Sequence, residues 1–388
     1  MSLFLLSYII IYGGMQGLVY AGLAPVLPSS RGFYWALIFW MAAMVGAPIL
    51  THVLDHAGFS HLAKLMAWIG YSWMGGSFIA FWCTLIAYGL KGFIAFGAWA
   101  GLYRGPQPST VLVSVFVLVL SAGLILWAVT TNRVVHLRTL EISTPKMDCK
   151  AEAVDIVFIS DVHLGLMNGP GEGRRIRNIL QDLDPDLILC AGDMIDSDMS
   201  RLDEQAHIFR ALKPKLGKYA VLGNHETYLG RGAASRFFER AGFDLLIDEG
   251  GEIGQSIALF GLDYARAEQC TQKASGLRNV DPNRFSIVLK HAPTRCALPK
   301  GDLQLSGHTH KGQIFPFGLI VKIVYPLVSG LYVQDSGERL YVSQGTGSWG
   351  PQMRLLTRRE ITVITLRGAC SGDERESRRV LFDTVVDK

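Results

Sequence analysis

Val154-Asp-Ile-Val-Phe-Ile-Ser-Asp-Val-His163 decides how the chain is read: a short apolar, β-branched run ends by delivering Asp161 and His163, two positions apart. The same pattern recurs downstream. Leu187-Ile-Leu-Cys-Ala191 runs into Gly192 and Asp193, and Tyr219-Ala-Val-Leu222 runs into Gly223, Asn224, His225 and Glu226. Phe285-Ser-Ile-Val-Leu289 leads to His291, and Leu303-Gln-Leu305 leads to Gly307, His308, Thr309 and His310. Apolar runs this short, bounded by turn residues, read as buried strands. Each strand ends in Asp, Asn or His, as expected where several strands deliver side chains to one edge of an open α/β sheet.

Helical stretches separate these strands. Gly173 to Leu183 carries Ile176, Ile179, Leu180 and Leu183 on one face, Asp203 to Leu212 behaves similarly, and Ala234 to Ala241 is closed by Gly242. Asp244 to Asp263 predicts further strands around a turn at Glu249-Gly-Gly251. Past Leu366 the chain reads RGACSGDERESRR, charged and poor in apolar residues, which predicts a disordered tail over 367–388.

Upstream the composition changes. As far as Asn132 the only charged residues are Arg31, Asp55, Lys64, Lys91 and Arg104, and every tryptophan except Trp349 lies in this part. Lipid-facing helices exclude charge and gather Trp near their ends, and crossing the hydrocarbon takes roughly 20 apolar residues. Leu3–Val26, Phe33–Leu54, Met66–Leu90 and Val111–Thr130 meet that length, which predicts a transmembrane bundle of about four spans over 1–130. The apolar GFIAFGAWAGLY between Lys91 and Arg104 reads as an extension of the third span or an interfacial piece. The first run lacks a cleavage site followed by a polar chain, so it reads as a span and not a signal peptide. Gly13, Gly17 and Ala21 form a small-residue stripe, read as ordinary packing within the bundle. His52 and His56 have metal-ligand spacing but no further ligands nearby, and read as an interfacial loop.

Residues 131–150 read as a polar connector and 151–366 as the folded catalytic part. Four spans put both chain ends on one side of the membrane. Lys64, Arg133, Arg138, Lys146 and Lys150 lie near span ends there, against Arg31, Lys91 and Arg104 opposite, which favours a cytoplasmic catalytic domain. The net charge of +4 is too small and dispersed to point to nucleic acid. Six cysteines without CxxC spacing fit a compartment where thiols stay free.

The ligand inventory points to metal chemistry. Two divalent ions about 3.5–4 Å apart can clamp a phosphoryl group. Such a pair needs a bridging carboxylate with imidazole and oxygen donors completing each shell. Asp161 and His163 suit a strand-end turn facing one ion, and Asp193 suits the bridge because Gly192 allows close backbone approach. Asn224, His291, His308 and His310 supply the remaining donors. Such mixed donors suit Mn, Fe, Zn or Co without selecting among them.

SDVHLG, GDMID, GNHE, an isolated His and GHTH, in this order from Val154 to Leu366, resemble the calcineurin-like metallophosphoesterase family. The resemblance implies a four-layer α/β/β/α sandwich. It implies that Asp161, His163, Asp193 and His310 hold a first metal and that Asp193, Asn224, His291 and His308 hold a second. His225 would then contact the scissile phosphate and assist the leaving oxygen as a general acid. Asp196 reads as a support for the ligands rather than a ligand. Arg174, Arg175 and Lys311 are candidate substrate contacts. GHTHKGQIFP and the later Tyr341-Val-Ser-Gln-Gly-Thr-Gly-Ser-Trp349-Gly-Pro-Gln-Met-Arg354 resemble the membrane-anchored branch, which includes hydrolases of UDP-diacylglucosamine; many of its members have Gly in place of Lys311.

These features predict a hydrolase of phosphodiester or pyrophosphate bonds, in contact with the bilayer and acting on a phosphorylated small molecule or lipid-linked substrate. The alternatives are a phosphomonoesterase or phosphoprotein phosphatase, or a membrane sensor with an inactive phosphoesterase-like domain. Phosphoprotein phosphatases of the family carry arginines after GDxxD and before GNHE, where this chain has Asp196-Ser-Asp198 and Leu222. The apolar Ile314–Val328 reads either as a buried core element or as a patch that meets lipid or an acyl chain, since two prolines, a glycine and a lysine interrupt it.

Overall fold

The near-absence of charge before Asn132 is realised as four helices: α1 (Leu3–Leu23), α2 (Arg31–His56), α3 (Ser60–Trp99) and α4 (Thr110–Asn132). In the computed structural model, which describes residues 3–196, 202–264, 281–294, 302–333, 337–369 and 379–386, all four are long and apolar enough to cross a membrane. Ser30 starts α2 by accepting the Phe33 N–H on its Oγ at 3.3 Å. At 40 residues α3 is about 60 Å long, twice the hydrocarbon thickness. GFIAFGAWAGLY therefore begins as a continuation of the third helix.

Three polar contacts tie the helices of the bundle together, where no water competes for them. Trp73 Nε1 donates to Gln16 Oε1 at 3.0 Å. Tyr88 Oη and Ser114 Oγ converge on the Gly22 carbonyl at 2.8 and 2.7 Å. The small-residue stripe does not pack as expected. Cβ atoms built on Gly13 and Gly17 would meet nothing within 4 Å, whereas one on Gly22 would come 2.4 Å from Thr84 Cγ2, so the close helix approach is at Gly22. His52 and His56 meet edge to face at 4.2 Å and join no cluster of three metal-ligating groups among the described residues.

The chain divides by its internal contacts into Met1–Thr131 with Gly350–Leu355, and Asn132–Trp349 with Leu356–Lys388. The second unit starts with β1 (Val135–Thr144), β2 (Val154–Ile159), α5 (Pro170–Asp182), β3 (Leu187–Cys190), α6 (Leu202–Arg210) and β4 (Lys218–Ala220). It continues with α7 (Asn224–Leu229), α8 (Arg231–Ala241), β5 (Asp244–Leu245), β6 (Glu249–Ile253), β7 (Ile257–Gly261), β8 (Phe285–Leu289) and β9 (Leu303–Ser306). The last elements are α9 (Phe317–Val324), β10 (Gly330–Val333), β11 (Arg339–Val342), β12 (Arg359–Gly368) and β13 (Arg379–Val386). One sheet has the order β13-β1-β12-β2-β3-β4-β5 and the other β10-β11-β9-β8-β7-β6.

Strand alternation sorts the core into two layers. Val157, Ile159, Ile188 and Cys190 face α5, α6 and α8, where they pack with Ile176, Leu180, Phe209, Phe237 and Phe238. Ile156, Phe158, Leu187 and Leu189 face the second sheet and meet Leu259, Ile287, Leu303, Leu305 and Tyr341. Strands buried on both faces read as continuous apolar runs, as Leu187–Cys190 of β3 does. The second sheet's crossovers, where the sandwich's outer helices are expected, run partly through residues outside those described.

Three expectations are corrected. The connector 131–150 contains β1, paired in parallel with β12 and antiparallel with β13. It hides because its burial changes face midway: Val135 and Leu137 pack toward the helices, Leu140 and Ile142 toward the other sheet. The tail 367–388 is not structureless, because β12 continues to Gly368 and Arg379–Val386 adds a strand to β1; the charged 370–378 between them lies outside the described residues. Val380, Val385 and Val386 suit a strand, and the charge before them masked it. The expected turn at Glu249-Gly-Gly251 lies inside β6, and the reversal comes between Ile253 and Ile257.

Candidate metal centre

Four of the sequence motifs meet at one edge of the two sheets. Past β2, the Asp161 N–H donates to the Gly192 carbonyl and the His163 N–H to the Asp193 carbonyl, each at 3.0 Å, so the first two motifs are sewn together through their backbones. Gly223 permits the next approach. A Cβ there would lie 2.1 Å from Asp193 Oδ1, which instead accepts the His225 N–H at 2.9 Å. Glu226, wholly buried, accepts the N–H groups of Asp193, Gly223 and Ile195 at 2.8, 2.8 and 3.0 Å. It is the scaffold of this corner. Past β9, the His308 N–H donates to Asp161 Oδ1 at 2.9 Å.

Asp161, His163, Asp193, His308 and His310 all have positive φ, between 47° and 72°. Such backbone costs a non-glycine residue roughly 1–3 kcal/mol, and it persists where the surroundings over-determine it, as at functional sites.

The side chains then converge. His163 Nε2 lies 3.0 Å from His310 Nε2, and His310 Nε2 lies 3.6 Å from Asp161 Oδ1. His291 Nε2 lies 3.1 Å from Asn224 Oδ1, 3.1 Å from His308 Nδ1 and 3.2 Å from Asp193 Oδ2. Asp193 Oδ2 also stands 3.8 Å from His163 Nε2, so this carboxylate touches both groups. Among the described residues three sets could hold a metal ion: Asp161, His163 and His310; His163, Asp193 and His225; and Asp193, His291 and His308.

The outer ring nitrogens explain why the inner ones point inward. His291 Nδ1 faces the Ala191 carbonyl at 2.7 Å, a pure acceptor, which keeps a proton on Nδ1 and turns Nε2 toward Asp193 and Asn224. His308 Nε2 contacts Tyr325 Oη at 3.0 Å, which turns Nδ1 toward His291. Lone pairs of two rings and carboxylate oxygens facing one another at about 3 Å repel unless a cation or proton lies between them. The donor set thus fits a cation on its own chemistry, with Asp193 able to serve two.

Charge follows the same geometry. Asp193 is buried, which opposes ionisation, yet His291 and His163 hold its carboxyl well below the usual range. Burial likewise opposes ionisation of Asp196, and its contacts with His163 and His225 override that. Asp161 is pushed up, chiefly by burial. His308 is driven down to about 3 by burial and by the neighbouring His291.

Residues 154–312 match the family model of the calcineurin-like phosphoesterases. An uncharacterized metallophosphoesterase of Aquifex aeolicus is 34% identical over 235 residues, covering 58% of this chain and 90% of that one. The chain belongs to the calcineurin-like phosphoesterase family. A transmembrane protein with metallophosphoesterase domain from Danio rerio is 32% identical over 250 residues, covering 59% of this chain and 57% of its own length. This family member is therefore a metal-dependent phosphoester hydrolase, joined to four candidate membrane helices.

His225 stands beside the cluster with a different partner. Its Nδ1 lies 2.6 Å from Asp196 Oδ1, and its ring packs edge-on against His163 at 4.7 Å. Burial disfavours its charged form, but Asp196 and Asp193 outweigh burial and raise it to about 9. Tyr228 and Trp349, both more than half exposed, flank the same ring at 5.7 Å. Trp349 is held there by Gln313, which donates to its carbonyl at 2.8 Å and accepts its N–H at 3.0 Å. That reciprocal pair links the GHTHKGQ and GSWG segments.

Of the candidate substrate contacts, Lys311 directly follows His310 in a 3₁₀ turn. Arg174 is engaged by Glu204 at 3.8 Å and Arg175 by Glu172 at 3.9 Å, both away from the histidines in their pairing. Sequence reasoning missed Asn168, which donates to the carbonyls of Val162, His163 and Ser348. It also missed Tyr325, for which no local signal exists, and Glu226, whose place in GNHE was the available clue.

Proposed function

We propose that the chain hydrolyses phosphodiester or pyrophosphate bonds in lipid-linked substrates, using two divalent ions (Mn, Fe, Zn or Co). Asp161, His163, Asp193 and His310 would hold one; Asp193, Asn224, His291 and His308 would hold the other. When bound, such ions polarise phosphoryl oxygens and lower the pKa of a coordinated water. The chain's own residues do the rest. His225, kept protonated by Asp196, presents Nε2 to the leaving oxygen and gives up a proton as the bond to phosphorus breaks. Lys311 adds positive charge at the mouth for the phosphate.

The observation that carries the choice of bond is Leu222. Before GNHE, where related phosphoprotein phosphatases place an arginine to grip a terminal phosphate, Leu222 is fully buried in the helix-side core. A site lacking that grip suits a phosphorus with two substituents. The full-length protein in detergent with Mn²⁺ should cleave a chromogenic phosphodiester at least about tenfold faster than the matching monoester, and an acylated pyrophosphate faster than its deacylated head group. Faster monoester cleavage would overturn the bond assignment, and equal rates on both pyrophosphates would overturn the lipid-linked one.

For sidedness, the basic residues favour a cytoplasmic catalytic unit. Against them, Cys149 is disulfide-bonded, with its partner outside the described residues, whereas Cys83 and Cys190 are free. Disulfides persist on oxidising sides of membranes. On the charge reading, a tag at Lys388 is protected from protease in sealed cells and cut after lysis; cleavage from outside would assign the oxidising side.

A further inference from the structure

The catalytic unit buries its apolar side chains thoroughly, with one concentrated exception. Phe315, Phe317, Leu319, Ile320, Ile323 and Val324 are between 45% and 81% exposed, all within ten residues. Beyond Asn132, the only other large hydrophobics exposed to this degree among the described residues are Tyr228, Val333, Trp349 and Leu356, which are scattered along the sequence. Five of the six lie on α9, which has no buried residue at all. A helix on a water-soluble surface turns its apolar stripe inward. Here the stripe faces out, with Lys322 as the helix's only charge. Exposed apolar patches of this kind mark interaction sites.

Resting on the lipid-linked reading for its purpose but not for its evidence, we propose that α9 is an in-plane interfacial helix whose occupant is the bilayer crossed by the chain's own spans. Only Arg133 and Val134 separate the end of α4 from the start of β1, a reach of about 10 Å when extended. A catalytic unit tethered so closely meets the bilayer at high effective concentration, which no free partner matches. Phenylalanine and aliphatic residues with one lysine suit the boundary between acyl chains and head groups, where the lysine stem stays apolar and its ammonium reaches phosphate. Both ends of α9 lead to the metal centre. His310 precedes it by a 3₁₀ turn and a short link, and Tyr325, its C-terminal neighbour, contacts His308. Lipid contact along α9 thus sets a head group beside the histidines.

The test uses the full-length protein in nanodiscs of phosphatidylcholine with one quarter phosphatidylglycerol. An environment-sensitive fluorophore is attached to Ile323→Cys, or to Glu239→Cys on the exposed face of α8, with labelling of the unsubstituted chain subtracted. Doxyl lipid should dim the label at 323 by about twofold or more and barely affect the label at 239, while aqueous iodide does the reverse. Equal iodide quenching at both positions would overturn the proposal, as would shielding of position 323 from both quenchers, the sign of a protein partner or second copy. Metal content equal to that of the unsubstituted chain certifies each labelled protein as folded. No substrate enters this measurement, so hydrolysis can fail while α9 is lipid-quenched, or succeed while it is not.

Discussion

His225 and His308 are the same side chain in one cluster, and their surroundings drive them to opposite charge. Both are mostly buried, which disfavours the imidazolium in each. His225 leans on a carboxylate, Asp196, and is raised to about 9. His308 leans on a neutral phenol, Tyr325, beside His291, and falls to about 3. At neutral pH the first carries a proton it can donate and the second carries a lone pair it can share with a metal. Burial lowers both, and the charged neighbour sets the difference: the Asp196 carboxylate for His225, His291 for His308.

The harshest way to break this comparison is to remove the charge on which both sides depend. Asp193→Asn should abolish hydrolysis and release at least one metal per chain, read by elemental analysis, while the protein stays folded and membrane-bound. Two metals and full activity would sink the shared-carboxylate assignment. Next in size is His225→Ala, expected to lose roughly 10²–10⁴ in rate, the span of a general acid, at near-normal metal content. Metal lost together with rate would make His225 a ligand and erase its contrast with His308.

Two smaller changes sharpen the contrast by altering only the outer partner. Asp196→Asn should cost about tenfold in kcat/KM and move the alkaline limb of its pH profile down by about one unit. The sign follows from the carboxylate holding the proton on His225: without it the imidazolium deprotonates at lower pH, and the acid form is lost earlier as pH rises. An unmoved limb would show that Asp196 is only structural. Tyr325→Phe should have the smallest effect, weakening metal affinity by up to about tenfold while leaving the pH profile in place. A shifted limb in that variant would mean that the two histidines are not electrically distinct.

Much of this centre was legible because its motifs are local. Asp161 with His163, Gly192 with Asp193, Gly223 with Asn224 and His225, and His308 with His310 are each short words at the end of an apolar strand. Short-range order of that kind survives in one dimension. Asp196 was also readable as a support, three residues past Asp193, although its attachment to His225 was not. Tyr325 lies 15 residues beyond His310 behind two prolines, and nothing local predicts that its phenol reaches His308.

The same division holds for the fold. The sequence by itself determined the apolar helices, because hydrophobicity over some 20 residues suffices to specify them in lipid, and it determined β2, β3, β8 and β9, because short, mainly apolar runs bounded by turn residues mark buried strands. It also singled out the candidate ligands, since metal chemistry admits few residue types. Tertiary structure alone decided that Val135–Thr144 is a strand paired on both sides and that Arg379–Val386 closes beside it, because their pairing is with residues more than 200 positions away. It alone decided that the apolar face of Phe317–Val324 is left uncovered by the rest of the protein, an outcome of what packs against a helix and not of the helix's own composition. And it alone assigned the charges of His225 and His308, because a histidine's pKa is set by the groups that surround it and not by its neighbours in the chain.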